Sequence, residues 1–287
     1  NFIFAVEQTR EWPFVSSLLP LMLITFGYMY FILYAGPRFM KDRPPYELRT
    51  FILIYDVIQI LVNLWFVKKH LSYGWFSEFS VIYAPSNPNS PNAIKVLLLS
   101  LTIIDIYTDN VLYFNGCNTL YILYIIVTFQ LFDLAWWLIF LKLFDYVETC
   151  VFVLRKKQNQ VSGLHVYHHV CNVVFLWYYL KYILDERGTF IFLLNCAVHV
   201  IMYTYYFIAA WSSEFQQTIS PIKPLITKLQ IVQFIVIIMV LLQILNPNCE
   251  SPKGITSIFI GNLFIFLYLF YDFHKKSYTK LPKQKDN

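Results

Sequence analysis

Residues 164–184 read LHVYHHVCNVVFLWYYLKYIL. The run has the length of a helix that crosses a bilayer, about 20 residues, yet its first turns hold His165, His168 and His169. Positions three and four apart share one helix face, so the three imidazoles converge. A single histidine in an apolar run is usually a satisfied packing residue. Three on adjoining faces are hard to explain by packing, and a polar cluster inside a membrane is a functional site by default.

The remainder of the chain repeats the pattern. Apolar runs at 14–36, 50–67, 131–154, 189–211, 227–245 and 255–273 join 164–184 as candidate spans, with Trp12, Trp65, Trp75 and Trp211 near their ends where interfacial aromatics belong. Hydrophobic residues make up 58% of the 287 and charged residues 14%, against about 25% charge in a soluble domain. Mean hydropathy is +0.53. These values exclude a soluble enzyme, a disordered chain and a nucleic-acid module as first readings. The expected fold is an all-α integral membrane protein, one domain over 1–287 with about seven transmembrane helices enclosing an apolar tunnel.

The net charge of +5 is unevenly spread. Arg38, Lys41, Arg43 and Arg49 form one basic group, Arg155, Lys156 and Lys157 a second, and the tail 274–287 a third. Seven spans with a cytosolic C-terminus put all three groups on the cytosolic side, as the positive-inside rule requires. Lys68, Lys69 and Lys95 are minor exceptions. Cys150, Cys171 and Cys196 lie in apolar runs and read as reduced thiols. The chain opens on Asn1, so a start upstream of it is expected, and no cleavable signal pattern stands at this end.

Three further motifs accompany the histidines. In Lys142-Leu-Phe-Asp145-Tyr-Val-Glu148-Thr149 three charges stack along one helix face. Unpaired at mid-bilayer each would cost roughly 2.5–3.5 kcal/mol, so they face the protein interior or the interface. They read equally as a structural ion-pair ladder or as catalytic groups. Asn195, His199, Met202, Tyr203 and Tyr206 recur at helical spacing as a polar-aromatic stripe, and its Asn and His favour function over packing. Thr227, Gln230 and Gln233 open another apolar run, where glutamine can simply bond a neighbouring helix. Asp56, Gln59 and Asn63 take that interhelical reading too. Together these helices would enclose an imidazole- and amide-rich pocket with an apolar continuation, a shape suited to a long-chain lipid.

These motifs, in this order, resemble the very-long-chain fatty acid elongase (ELO) family, in an insect-like form. The histidine box is 164–169, the Asn–His–Met–Tyr–Tyr–Tyr signature 195–206, the Lys–acid–acid–Thr motif 142–149 and the Thr–Gln–Gln motif 227–233. Gly36-Pro37-Arg38 with Arg43-Pro44-Pro45 resembles the family's first cytosolic loop. Two departures stand out. The acidic pair is Asp145 then Glu148, the reverse of the usual order. A lumenal cysteine carried by many relatives near Tyr83–Ala84 is absent, which leaves Cys249 without its usual partner.

The stretch 96–130 is anomalous. It lacks Ala, Pro, Trp, Lys, Arg, Glu and His, and stands between Asn89–Ala93 and the Trp136-Trp137 pair, which lie close together in relatives. It reads as an apolar insertion: plainly one extra hairpin or span, or more sharply a retained intron translated in frame. One extra span there would turn Arg155–Lys157 to the lumen, against the charge bias.

The resemblance implies a very-long-chain 3-oxoacyl-CoA synthase that condenses long-chain acyl-CoA with malonyl-CoA to 3-ketoacyl-CoA, carbon dioxide and CoA. A neutral imidazole can attack a thioester at cytosolic pH, and analogy assigns that attack to His168. His199 would assist binding or proton transfer, and His165 and His169 would orient the site. His199, Asn195 and Gln233 would hold the enolate oxygen, and Arg155, Lys156 and Lys157 the CoA phosphates. No metal or redox cofactor is implied. Cys171, one turn from His168, is the alternative nucleophile. Membrane lipids and other elongation-cycle enzymes are the implied partners, with no nucleic acid, and a homodimer is an allowed assembly. Lys283 and Lys285 resemble a dilysine signal for retrieval to the endoplasmic reticulum, a basic tail beside anionic lipid being the plainer reading.

Two rival functions remain. A di-iron desaturase or hydroxylase also carries histidine boxes, but it needs three, and His70 and His274 near helix ends leave four of six histidines in the cluster. A lipid-binding or transport protein would use the tunnel but leave the histidines idle.

Overall fold

The computed structural model describes residues 11–73, 75, 116–183, 188–243 and 253–279, with side chains from residue 130 onward in the segment that begins at 116. The regular elements among these are helices. Helix α1 spans Leu19–Met40 and loosens into a π turn at Phe31–Ala35. Helix α2 is Arg49–Ser72. Gly116–Phe144 forms α3 and Tyr146–Leu154 forms α4, separated only at Asp145. Helix α5 is Gly163–Tyr178, continued by a π turn over Tyr179–Ile183. Helix α6 is Gly188–Trp211, α7 Ser213–Ile219, α8 Lys223–Leu242 and α9 Lys253–His274.

Five stretches among the described residues are long and apolar enough to cross a membrane: Leu19–Met40, Arg49–Ser72, Gly188–Trp211, Ser213–Leu242 and Thr256–Tyr278. Their outward faces carry exposed Leu23, Phe26, Leu33, Leu61, Leu225, Ile258 and Phe264. In water such a surface would far exceed the few hundred Å² of apolar patch that a monomer tolerates. In lipid it is the expected exterior, so the chain is an all-α, multi-pass membrane protein. The other two expected spans correspond to α3–α4 and α5, which are helical as well; the count of seven is not fixed by the five.

The boundaries differ from the sequence reading in one informative place. The third span, expected at 131–154, is the end of a helix that starts at Gly116. Residues 116–130 of the anomalous stretch therefore prolong the helix bearing Lys142, their Leu, Ile and Tyr content continuing the apolar run without a breaker. Residues 96–115 lie outside the described residues, as do Cys249, Lys283 and Lys285.

Lipid gives little hydrophobic reward for helix association, so close packing and interhelical hydrogen bonds matter most. One core joins α1, α3, α4 and α5 through Leu21, Ile32, Leu138, Ile139, Val153, Val173 and Leu180. Here Gly36 is required: a Cβ on it would stand 2.7 Å from Val153 Cγ1. A second core zips α8 to α9 through Phe234, Ile237, Leu241, Ile260, Leu263 and Phe266. Helix α2 packs along α6. Cys150, Cys171 and Cys196 are free thiols.

The first two basic groups meet at one end of the bundle. Lys156 Nζ donates to Lys41 O at 3.2 Å, and Tyr46 N to Leu154 O at 3.1 Å. Arg49, at the start of α2, donates to the carbonyls of Ala210 and Trp211 at the end of α6. Cations at a helix C-terminus complement its dipole.

Candidate active site

The site is assembled where α5 begins. Ser162 caps this helix, its hydroxyl accepting from His165 N at 3.2 Å, the usual device for starting a helix after a loop. The cap sets His165 in the first turn, and the box follows as the spacing requires. Ring centroids of His165 and His169 are 4.3 Å apart, those of His168 and His169 5.4 Å. His199 reaches in from α6, its ring 6.5 Å from that of His168.

A second layer holds the first. His165 Nε2 is 2.9 Å from Thr149 Oγ1 on α4. Tyr28 of α1 donates to the same Thr149 oxygen at 3.0 Å and stacks on Tyr146 with centroids 4.0 Å apart. Behind this lies the charged ladder. Lys142 Nζ donates to Asp145 Oδ2 at 3.2 Å, and Gln59 Nε2 of α2 donates to Asp145 Oδ1 at 2.8 Å. Tyr203 OH stands 3.5 Å from carboxylate oxygens of both Asp145 and Glu148. Asp145 is fully buried and Lys142 nearly so, with 0% and 4% exposure. The interhelical reading of Gln59 is correct, and its partner is the ladder itself.

Two cavities meet at the cluster. One, largely apolar, runs between α5, α6, α8 and α9, past Phe175, Ile191, Ile237, Leu241 and Phe259. Lys142, His168, Asn195 and Gln233 line it too. The other, far more polar, is lined at the basic end by Arg49, Arg155 and Lys223. Glu148, His165, His168, His169, His199, Tyr203 and Gln230 line it deeper in. Among the described residues, His168 alone lines both.

Most residues singled out in the sequence thus converge, with some exceptions. Asp145 lines neither cavity and braces the site from behind. Lys156 and Lys157 line neither cavity, and Lys156 instead ties down the loop at Lys41. Arg49 and Lys223 join Arg155 on the polar cavity; in the sequence Arg49 reads only as a marker of sidedness, and Lys223 belongs to no motif. Asn172, one turn beyond His168, escapes the sequence reading although i,i+4 spacing pairs them, and its amide nitrogen lies 3.1 Å from His168 Nε2.

Glu148, His165 and His169 bring one potential ligand atom each within 4.8 Å of one another. That spacing could admit a metal ion. However, His165 Nε2 already faces Thr149, and the Glu148 carboxylate faces Tyr203.

With this geometry in hand, comparison with known proteins is decisive. The family model described as the GNS1/SUR4 (ELO) family matches residues 13–286. This chain belongs to the ELO family. A very long chain fatty acid elongase of Aedes aegypti is 30% identical over 280 residues, covering 97% of this chain and 68% of the relative. Very long chain fatty acid elongase 7 of Drosophila melanogaster is 29% identical over 275 residues, 95% and 73% of the two chains. Elongase 4 of Mus musculus is 30% identical over 280 residues, 98% and 78%. The ELO chain described here is therefore an enzyme of fatty acid elongation, embedded in a membrane by several helices.

Proposed function

We propose that this elongase carries out the condensation step, joining a long-chain acyl group to a two-carbon unit from malonyl-CoA. The observation that carries the reading is the position of His168 at the junction of the apolar and polar cavities. An acyl chain lying in the first and a CoA moiety in the second would bring the thioester to that imidazole. Arg49, Arg155 and Lys223 around the polar cavity suit the CoA phosphates.

In the first half-reaction the His168 nitrogen bonds to the thioester carbonyl carbon, the carbon–sulfur bond breaks, and CoA leaves as thiolate to take up the imidazole proton. The acyl-imidazole remains. Malonyl-CoA then enters by the vacated polar cavity and loses carbon dioxide. Its enolate carbon attacks the acyl carbonyl, the carbon–nitrogen bond breaks, and the 3-ketoacyl-CoA departs as the His168 nitrogen takes up a proton from water. Asn195 and Gln233 line the apolar cavity with His168, and His199 faces the polar one; all three suit an enolate oxygen. One polar cavity serving both CoA substrates in turn predicts ping-pong kinetics. The reading includes residence in the endoplasmic reticulum with the basic end of the bundle and the C-terminus cytosolic, beside the enzymes that reduce and dehydrate the product.

Microsomes from an elongase-deficient host expressing this chain should incorporate radiolabelled malonyl-CoA into lengthened acyl chains, and His168→Ala should abolish it. Incorporation that survives His168→Ala, or a trapped acyl group that maps to Cys171, would overturn the assignment.

A further inference from the structure

The wall of the apolar cavity carries a buried amide that the condensation chemistry leaves idle. Asn262 of α9 is only 6% exposed and lines that cavity. Tyr167 OH donates to its Oδ1 at 2.7 Å, and Tyr167 lines neither cavity. The oxygen and nitrogen of a planar amide diverge, so the end opposite Tyr167 is turned from that ring toward the cavity. This end, Nδ2, has no hydrogen-bond partner among the described residues. Exchanging the two ends changes only which atom is idle, since the tyrosine hydroxyl can donate or accept.

Ring contacts fix its depth. The Phe266 ring stands 5.6 Å from that of His168, and Phe259 stands 5.0 Å from Phe175, centroid to centroid. Seven residues separate the two contacts on each helix, in opposite directions, so α5 and α9 run antiparallel and Asn262 falls between the contacts. It lies four residues deeper than Phe266, which at 1.5 Å per residue is about 6 Å below the reacting imidazole. Side chains lean toward the N-terminus of their own helix, here further down the cavity. An extended acyl chain advances about 1.25 Å per carbon, so about the sixth or seventh carbon from the thioester passes Asn262.

A methylene at that point leaves the amide unpaired, whereas a hydroxyl donates and accepts and so meets either end of it. An alkene would offer only a weak N–H···π contact. A buried hydrogen-bonding group discriminates against the substrate analogue that lacks its partner. We propose that Asn262 is a specificity-determining residue that selects acyl chains bearing a hydroxyl at about the sixth or seventh carbon from the thioester. Tyr167 holds the amide in place from the side away from the cavity. The inference rests on the acyl chain occupying the apolar cavity with its thioester at His168.

The test gives membranes containing the full chain radiolabelled malonyl-CoA with stearoyl-CoA, or with its analogue hydroxylated at the seventh or at the twelfth carbon. The kcat/KM for the seventh-carbon alcohol should exceed that for each of the other two chains about tenfold, the effect of leaving one buried hydrogen-bonding group unpaired. Asn262→Leu should erase both preferences, slowing the seventh-carbon alcohol and speeding stearoyl-CoA. Tyr167→Phe, which frees the amide to turn, should weaken both. Thermal melting reports folding, and if Asn262→Leu does not fold, the wild-type ratios and Tyr167→Phe decide. Equal use of the three chains by the wild type, equal use of the two alcohols, or preferences that survive in a folded Asn262→Leu or are untouched by Tyr167→Phe overturn the proposal. Incorporation from none of the three chains overturns the condensation reading instead, so the two failures are distinguishable.

Discussion

Substituting Lys142→Met would strand a carboxylate in the middle of the protein. Asp145 has no exposed surface, and its charge is met by Lys142 Nζ at 3.2 Å, Gln59 Nε2 at 2.8 Å and a distant Tyr203 hydroxyl at 3.5 Å. Breaking a buried ion pair by removing one partner typically costs about 3–5 kcal/mol. The good bond from Gln59 survives, so the lower end, about 3 kcal/mol, is expected here. That is roughly a hundredfold in the folded-to-unfolded ratio. The double variant Lys142→Met/Asp145→Asn removes both charges while the new carboxamide oxygen still accepts from Gln59, and it should lie within about 1 kcal/mol of the parent. Thermal unfolding of the detergent-purified protein, with the folded fraction in membranes measured alongside, compares the three. A single variant as stable as the double would show that the pair is not what neutralises Asp145. A double variant as unstable as the single would place the loss in the packing of the Lys142 side chain.

Three further outcomes follow from the contacts. Thr149→Val removes the shared partner of Tyr28 and His165; a buried group left unsatisfied costs about 1–3 kcal/mol, so elongation per folded molecule should fall at least severalfold, measured by malonyl-CoA incorporation. A Cβ at Gly188 would overlap the Tyr179 ring, and both residues line the apolar cavity; Gly188→Ala should therefore shift the product profile to shorter chains and Tyr179→Ala to longer ones, read by gas chromatography. Arg49→Gln, Arg155→Gln and Lys223→Gln should each raise KM for CoA substrates up to about tenfold, or about 1.4 kcal/mol, with less effect at high salt, whereas Lys157→Gln should not.

Local periodicity made half of the site legible. His165, His168 and His169 converge because a helix repeats every 3.6 residues, and the same rule aligns Lys142, Asp145 and Glu148. Asn172 obeys it equally, yet a lone asparagine in an apolar run carries no meaning until the ring beside it is known. The basic triplet misleads in part. A charge run reports the side of the membrane, not which side chain turns inward, and the loop fold that bonds Lys156 to Lys41 leaves Arg155 on the cavity alone.

By itself the sequence determined that the chain lives in a membrane, where its polar clusters lie, and which of their members share a helix face. These follow from composition and short-range geometry. Only the tertiary structure joined Gln59 to Asp145 across 86 residues of chain and Tyr28 to Thr149 across 121. It also divided single helices between two cavities, with Asn195 and Gln233 on the apolar one and His199 and Gln230 on the polar one. The angle at which helices cross and the depth at which they meet are set by packing between distant segments. No repeat along one helix encodes that packing, and it is what leaves His168 at the junction.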